Sequence, residues 1–164
     1  MRIKNRTVII ASIICVLSLI AMLTVIAITR NEPESAGFTP PEFDSAAVLG
    51  SPDVPENMGY TPIEVEVGYK AFVCGELKAV NGSVDVYFTS AAENAVWMKL
   101  KLLDESGKTL GETGVIKPGE YVKAIKSDSI PGSTAAVKLK IIAYQPDTWY
   151  SMGTVGLNTK LNVQ

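Results

Sequence analysis

The chain has 164 residues, of which 47% are hydrophobic, with a formal net charge of -2 and no histidine. This length allows one ordinary domain plus an appendage. The lack of histidine removes the commonest general base and the usual zinc ligand, and no glycine-rich phosphate loop leads from a strand into a helix. The composition therefore indicates a protein that is not an enzyme, and we expect no cofactor.

The first predicted element is a transmembrane helix over residues 8–28, a segment without a charged residue. At about 1.5 Å per residue it reaches roughly 31 Å, the thickness of the hydrocarbon core of a bilayer. A cleaved signal peptide is the main alternative, but its apolar stretch would usually be shorter, about 7 to 15 residues. We expect an uncleaved helix after a cytoplasmic basic tip, residues 1–7.

The basic residues around this segment predict its orientation. Three precede it and one follows it closely: Arg2, Lys4, Arg6 and Arg30. Positive charge favours the cytoplasmic side, so the N-terminus is predicted to be cytoplasmic and the C-terminal bulk of the chain extracytoplasmic. We therefore expect a single-pass protein of the cell membrane.

Residues 29–62 follow as a predicted extracytoplasmic stem. Between residues 31 and 62 the chain has six of its nine prolines, six acidic residues and no basic one. Such a composition disfavours helices and central strands and favours extended conformations. Several large apolar side chains are unusual for a solvated linker, which leaves open that part of the stem packs on the domain: Phe38, Phe43, Val48 and Leu49.

Residues 63–164 are predicted to form an all-β domain. Apolar and polar residues alternate along residues 96–102 and 137–143, and Asn81-Gly82 is a typical hairpin turn. Turn residues divide the segment into seven or eight short runs, the pattern of an antiparallel immunoglobulin-like sandwich. Its eleven acidic residues balance its eleven lysines, so the composition does not point to nucleic acid.

Four carboxylates in residues 102–122 raise the question of a catalytic or metal site: Asp104, Glu105, Glu112 and Glu120. The sequence DESG is typical of a hairpin, and IKPGEY places Pro118 and Gly119 at the centre of a type II turn. Neither stretch has the alternating oxygen ligands of a calcium loop. We interpret these acids as turn and surface residues, with a weak calcium site as the alternative.

Cys15 and Cys74 cannot pair, because one is predicted inside the bilayer and the other in a strand outside it. The pattern leaves open whether Cys74 is buried or exposed and able to crosslink two copies. Ala11, Cys15 and Ser18 form only a loose small-residue face on the predicted helix. A weak homodimer is therefore an open alternative.

The candidate contact residues are aromatic: Trp97, Tyr144, Trp149 and Tyr150. The alternation of Met98 and Leu100 places Trp97 on the lysine side of its strand, where it either covers an edge, packs under Phe38 or Phe43, or anchors a partner. The dense aromatic loop at residues 144–150 suits recognition and also the closing of a sandwich.

The runs IKPGEY, IPGSTAAVKLKIIAY and YSMGTVGLNTKL resemble those of immunoglobulin-like and fibronectin type III-like sandwiches of bacterial surface proteins. The order of basic tip, single span, FTPPEFDSAAVLGSPDVP and AYQPDTWYSMGTVGLNT is similar to that of small membrane-anchored proteins of Gram-positive bacteria, a resemblance that implies no activity. We expect a non-enzymatic module that binds a protein or a cell-wall partner. An accessory subunit of a secretion or conjugation assembly is the alternative, followed by an enzyme inhibitor or an enzyme.

Overall fold

The computed structural model of the protein describes Ser18 and residues 38–65, 68–127 and 129–163. The chain divides into two compact units, Met1–Thr39 and Pro40–Gln164. Apart from Ser18, the predicted membrane helix lies outside the described residues. Among the residues that are described, no helix has the length and apolarity needed to cross a membrane.

The second unit is all-β, which confirms the predicted all-β class. Its strands are β1 (Val48–Leu49), β2 (Tyr60–Val65), β3 (Tyr69–Cys74), β4 (Glu76–Val80), β5 (Ser83–Ser90), β6 (Trp97–Asp104), β7 (Thr109–Ile116), β8 (Glu120–Lys126), β9 (Ala135–Tyr144) and β10 (Ser151–Val163). A single 3-10 turn, Glu56–Met58, is the helical exception among the described residues of this unit. Ten strands form instead of seven or eight, because residues 71–80 belong to two strands, β3 and β4, that are divided at Gly75, and because β1 lies upstream of Ile63.

Alternation along β6 and β9 places the apolar side chains inside, as the sequence predicts. Met98, Leu100 and Leu102 are buried on β6, and Leu139 and Ile141 are buried on β9. Both strands belong to the same core as Phe88 of β5 and Ile125 of β8. Burial of these side chains from both halves of the sheet is the main favourable term of the fold.

The strands form one continuous sheet in the order β1-β8-β5-β4-β10-β9-β6-β7, with β3 also beside β5 and β2 beside β3. The expectation of a purely antiparallel sheet needs correction, because β10 pairs with β4 in parallel. The direction of β10 is set by its antiparallel pairing with β9. Its final residues meet the free edge of β4, whose direction is set by antiparallel pairing with β5 on its other side. The two strands run in the same direction, so they pair in parallel.

The curled sheet brings β7 and β8 together at a seam, which the N-terminal residues of the unit cross. Asp44 N donates to Val115 O, and Val115 N donates to Glu42 O, at 2.9 Å each. A few residues later, β1 pairs with β8. We call residues 42–50 the strap, because they pair first with β7 and then with β8.

The strap accounts for the large apolar side chains within the predicted stem. The compact unit begins at Pro40, so residues 40–62, predicted as stem, lie within it. Phe43, Val48 and Leu49 pair with or pack on the domain, and Met58 is buried in the core. The prolines and acidic residues of this segment gave no strand pattern in the sequence. A short edge segment can nevertheless pair with a sheet, because proline is tolerated on edge strands.

Cys74 is fully buried on β3. Burial raises the pKa of its thiol to about 11, with Asp85 adding to the shift. Of the two alternatives, the structure shows the buried thiol, so this residue is not accessible for a crosslink between copies.

Candidate functional site

Four aromatic side chains form a cluster on the outer face of the sheet: Phe43, Trp97, Tyr144 and Trp149. The ring centroids of Trp97 and Trp149 are 4.8 Å apart, and those of Phe43 and Trp97 are 4.9 Å apart with an edge-to-face geometry. Trp149 also lies 6.0 Å from Tyr144. These distances and orientations are the ones that aromatic quadrupoles favour. We call this group the aromatic cluster.

Strand pairing brings together two members of the cluster, Trp97 and Tyr144. Trp97 begins β6 and Tyr144 ends β9, and the two residues lie directly opposite in the antiparallel ladder. Residues opposite each other have Cβ atoms about 5 Å apart and lie on one face, and the ring of Trp149 contacts the rings of both. Partial burial raises the pKa of the Tyr144 hydroxyl.

Trp149 reaches the cluster from a tight loop between β9 and β10. Gln145 closes this loop, because its N–H donates to Tyr150 O and its carbonyl accepts from Trp149 N. Trp149 has a φ of 60°, a left-handed conformation that is unusual for a bulky residue. The ring contacts with Trp97, Tyr144 and Phe43 offset this backbone strain.

Phe43 comes from the strap and covers one side of Trp97. Its ring is 43% exposed, and the Lys117 ammonium lies 4.7 Å from its centroid, in the geometry of a cation–π contact. Of the alternatives for Trp97, the structure shows packing against Phe43. Because Phe43 is exposed and both tryptophans are only half-buried, the cluster also presents its rings to solvent.

The structure does not bring Tyr150 into the cluster. Its side chain is 72% exposed, and it has no ring contact among the described residues. Three of the four predicted contact residues are therefore together, and the fourth projects from the adjacent loop.

Beside the aromatic cluster, Lys99 and Lys101 of β6 both contact Glu112 of β7. The Nζ–Oε distances are 2.6 Å for Lys99 and 2.9 Å for Lys101. Partial burial alone would raise the pKa of Glu112, but the hydrogen bonds and positive charges of both lysines outweigh it and leave this pKa below its ordinary value. Glu112 is thus a structural partner of the lysines.

The remaining predicted carboxylates serve turns, as expected. Asp104 Oδ1 accepts hydrogen bonds from Ser106 Oγ at 2.6 Å and Lys108 N at 2.9 Å, and both bonds lower the pKa of this exposed carboxyl. Glu120 Oε2 accepts from Lys117 N at 2.7 Å in the IKPGEY turn. Within the described residues, no group of three or more acidic, cysteine or histidine side chains is placed to hold a metal ion.

Sequence reasoning named Phe43 only as a possible cover for Trp97, and it missed Lys117 as a neighbour of the cluster. The one signal in the sequence was a phenylalanine within an acidic, proline-rich segment. The contact of Lys117 with Phe43 could not be predicted from the sequence, because it depends on how the strap crosses the seam. The assembled surface offers aromatic rings together with the ammonium group of Lys117.

Comparisons with known proteins add little to this description. No family model matches the chain, and no curated protein matches it. Among solved structures, it is similar to the crystal structure of CopC from Methylosinus trichosporium OB3b, with 14% sequence identity over 64% of this chain and 93% of that chain. The TM-score of 0.34 is too low to support an argument about fold or function.

Proposed function

We propose that this protein is a non-enzymatic binding module, tethered to the membrane of a Gram-positive bacterium, that contacts a protein or cell-wall partner outside the membrane. The observation that carries the proposal is the aromatic cluster: three of its members come from strands or loops far apart in the chain and meet on an outer face. Half-exposed tryptophans and tyrosines supply much of the binding energy in protein recognition.

The proposed tether rests on the sequence. Residues 8–28 lack charge and have the length of a membrane span. The excess of basic residues before this segment supports a cytoplasmic N-terminus. The compact unit that begins at Pro40 would then lie outside, close to the membrane.

We further propose that the all-β unit is an immunoglobulin-like sandwich. Two groups of strands support this: β7, β6, β9 and β10 on one side, and β1, β8, β5, β3 and β2 on the other, with β4 between β10 and β5. Their inner side chains share one core, as in a two-layer sandwich.

Alanine substitutions of Trp97 and Trp149 test the binding role. The full-length protein in detergent micelles is mixed with purified Gram-positive cell walls, and the bound fraction is measured by sedimentation. Each variant should lose at least about tenfold in binding, as expected for a contact residue that contributes more than about 1.4 kcal/mol. Phe72→Ala, at a half-buried aromatic residue on the strand β3, is the matched control and should leave binding unchanged.

Thermal melting of the same variants separates contact from packing. A contact residue should lose binding with little loss of stability, whereas a buried tryptophan would cost roughly 3 kcal/mol or more. Two outcomes contradict the proposal: both variants unfold the protein, or both bind cell walls as well as the unchanged protein does.

A further inference from the structure

The outer face of β6, β9 and β10 carries lysines in successive rows, beginning beside the aromatic cluster. The cross-strand pairs, read away from the cluster, are Trp97 with Tyr144, Lys99 with Ile142, Lys101 with Lys140, Leu103 with Lys138, and Ala136 with Lys160. No register shift interrupts the pairing of β6 with β9. Successive rows on one face are about 7 Å apart, so these five pairs extend over about 27 Å. We call the five lysines in these rows the lysine ladder.

The lysine ladder is poorly neutralised. Its ion pairs among the described residues all go to one carboxylate, Glu112, which contacts Lys99 and Lys101. Lys101 and Lys140 lie directly opposite each other, an arrangement that like charges make unfavourable. Asp104 and Glu105 both lie near the end of the ladder at Lys138. Neither forms an ion pair with Lys138 among the described residues, and Asp104 Oδ1 is already bonded within its own turn.

This segregation of charge is unexpected from composition. The whole protein has a net charge of -2, and lysines and acids are equal in number over residues 63–164. Strand register nevertheless places five lysines on a single face, where Glu112 is the carboxylate that forms ion pairs with them among the described residues. A surface of one sign attracts and orients ligands of the opposite sign, so the face complements a ligand with repeated negative charges.

We infer that the lysine ladder and the aromatic cluster together bind a linear anionic polysaccharide. An extended polymer can follow the rows, with its anionic groups at successive lysines. At the end of the ladder, the half-buried rings of Trp97 and Tyr144 can contact the apolar face of a sugar ring. The inference rests on the proposed function and specifies the chemical class of its partner.

Two other anionic partners fit the face less well. A membrane surface is usually contacted by several aromatic side chains that project into it. Beside the cluster Tyr150 is a single projecting ring, whereas the tryptophans pack against each other and against Phe43. An acidic polypeptide would match the lysines, but it has no sugar ring for the half-exposed aromatic faces. The combination of regular charge and ring faces therefore favours the polysaccharide.

Binding to defined polymers tests the inference. Full-length protein is immobilised in phosphatidylcholine nanodiscs, and polygalacturonate, neutral dextran, poly-L-glutamate and phosphatidylglycerol vesicles are passed over it. We expect polygalacturonate to bind more tightly than the other three, with an affinity that falls steeply as salt screens the lysines. The triple variant Lys101→Gln/Lys138→Gln/Lys140→Gln should lose about 10- to 100-fold in affinity.

The double variant Lys123→Gln/Lys126→Gln on β8 is the matched control and should bind polygalacturonate normally. Equal or tighter binding of poly-L-glutamate or of the vesicles overturns the inference, as does full binding by the triple variant. If the triple variant still binds cell walls while Trp97→Ala does not, the polysaccharide is wrong and the proposed function stands. If neither change affects cell-wall binding, both are wrong.

Discussion

Gly119 shows how one residue determines the turn between β7 and β8. Its φ is 78°, a left-handed value that an L side chain adopts only with strain. The turn is closed by a hydrogen bond from Glu120 N to Lys117 O at 3.1 Å, as the sequence IKPGEY predicts. Gly119 also contacts the strap through its carbonyl, which accepts from Gly50 N.

Replacing Gly119 by alanine should destabilise the protein by about 1 kcal/mol or more, because alanine, unlike glycine, adopts a positive φ only with strain. A Cβ atom there would lie 3.4 Å from Leu49 Cδ1, so the cost comes mainly from the backbone. Urea unfolding measures the change. Gly132→Ala, at a glycine with open space around its Cβ position, is the control and should stay within about 0.5 kcal/mol. Equal stability of the two variants would show that the turn tolerates a side chain.

At the scale of elements, the strap holds the seam of the curled sheet. Asp44 makes the side-chain hydrogen bonds of the strap: its Oδ2 accepts from Gly114 N at 2.7 Å, and its Oδ1 accepts from Ala46 N at 2.8 Å. The approach is so close that a Cβ atom on Gly114 would lie 2.5 Å from Asp44 Cα. The strap in turn places Phe43 against Trp97.

Asp44→Ala should therefore weaken both the seam and the aromatic cluster. Loss of two hydrogen bonds to a carboxylate, one of them from the partly buried Gly114 N, should cost on the order of 2 kcal/mol. Urea unfolding measures this loss, and tryptophan fluorescence should report a more exposed Trp97. Ser45→Ala, at the exposed neighbouring position, is the control. If Asp44→Ala is as stable as this control and has the same emission spectrum, the strap does not hold the seam.

At the scale of the whole molecule, the sequence predicts which side of the membrane the domain occupies. Protease added to intact cells should digest the domain of the full-length protein, since three basic residues before residue 8 favour a cytoplasmic N-terminus. A cytoplasmic protein in the same cells should stay intact. The prediction is wrong if the domain survives while known surface proteins are digested, or if the mature N-terminus maps beyond Ala27.

Much of the domain could be predicted from local pattern. The alternation predicted along residues 96–102 and 137–143 corresponds to β6 and β9, because a period of two directly reflects one buried and one exposed face. The turns at Asn81-Gly82, DESG and IKPGEY were also predictable, since each depends on residues adjacent in the chain. Trp97, Tyr144 and Trp149 were identified as contact candidates by their chemistry and their position in the pattern.

The sequence by itself determined the all-β class, the face of each central strand and the turns, because these follow from interactions between near neighbours. Only the tertiary structure decided that the strap closes the seam, that β10 pairs in parallel with β4, and that Phe43 joins Trp97. It also places the five lysines of the lysine ladder on one face, because their positions depend on the register between β6, β9 and β10. Register and seam closure are set by packing between residues far apart in the chain, and no local pattern encodes such packing.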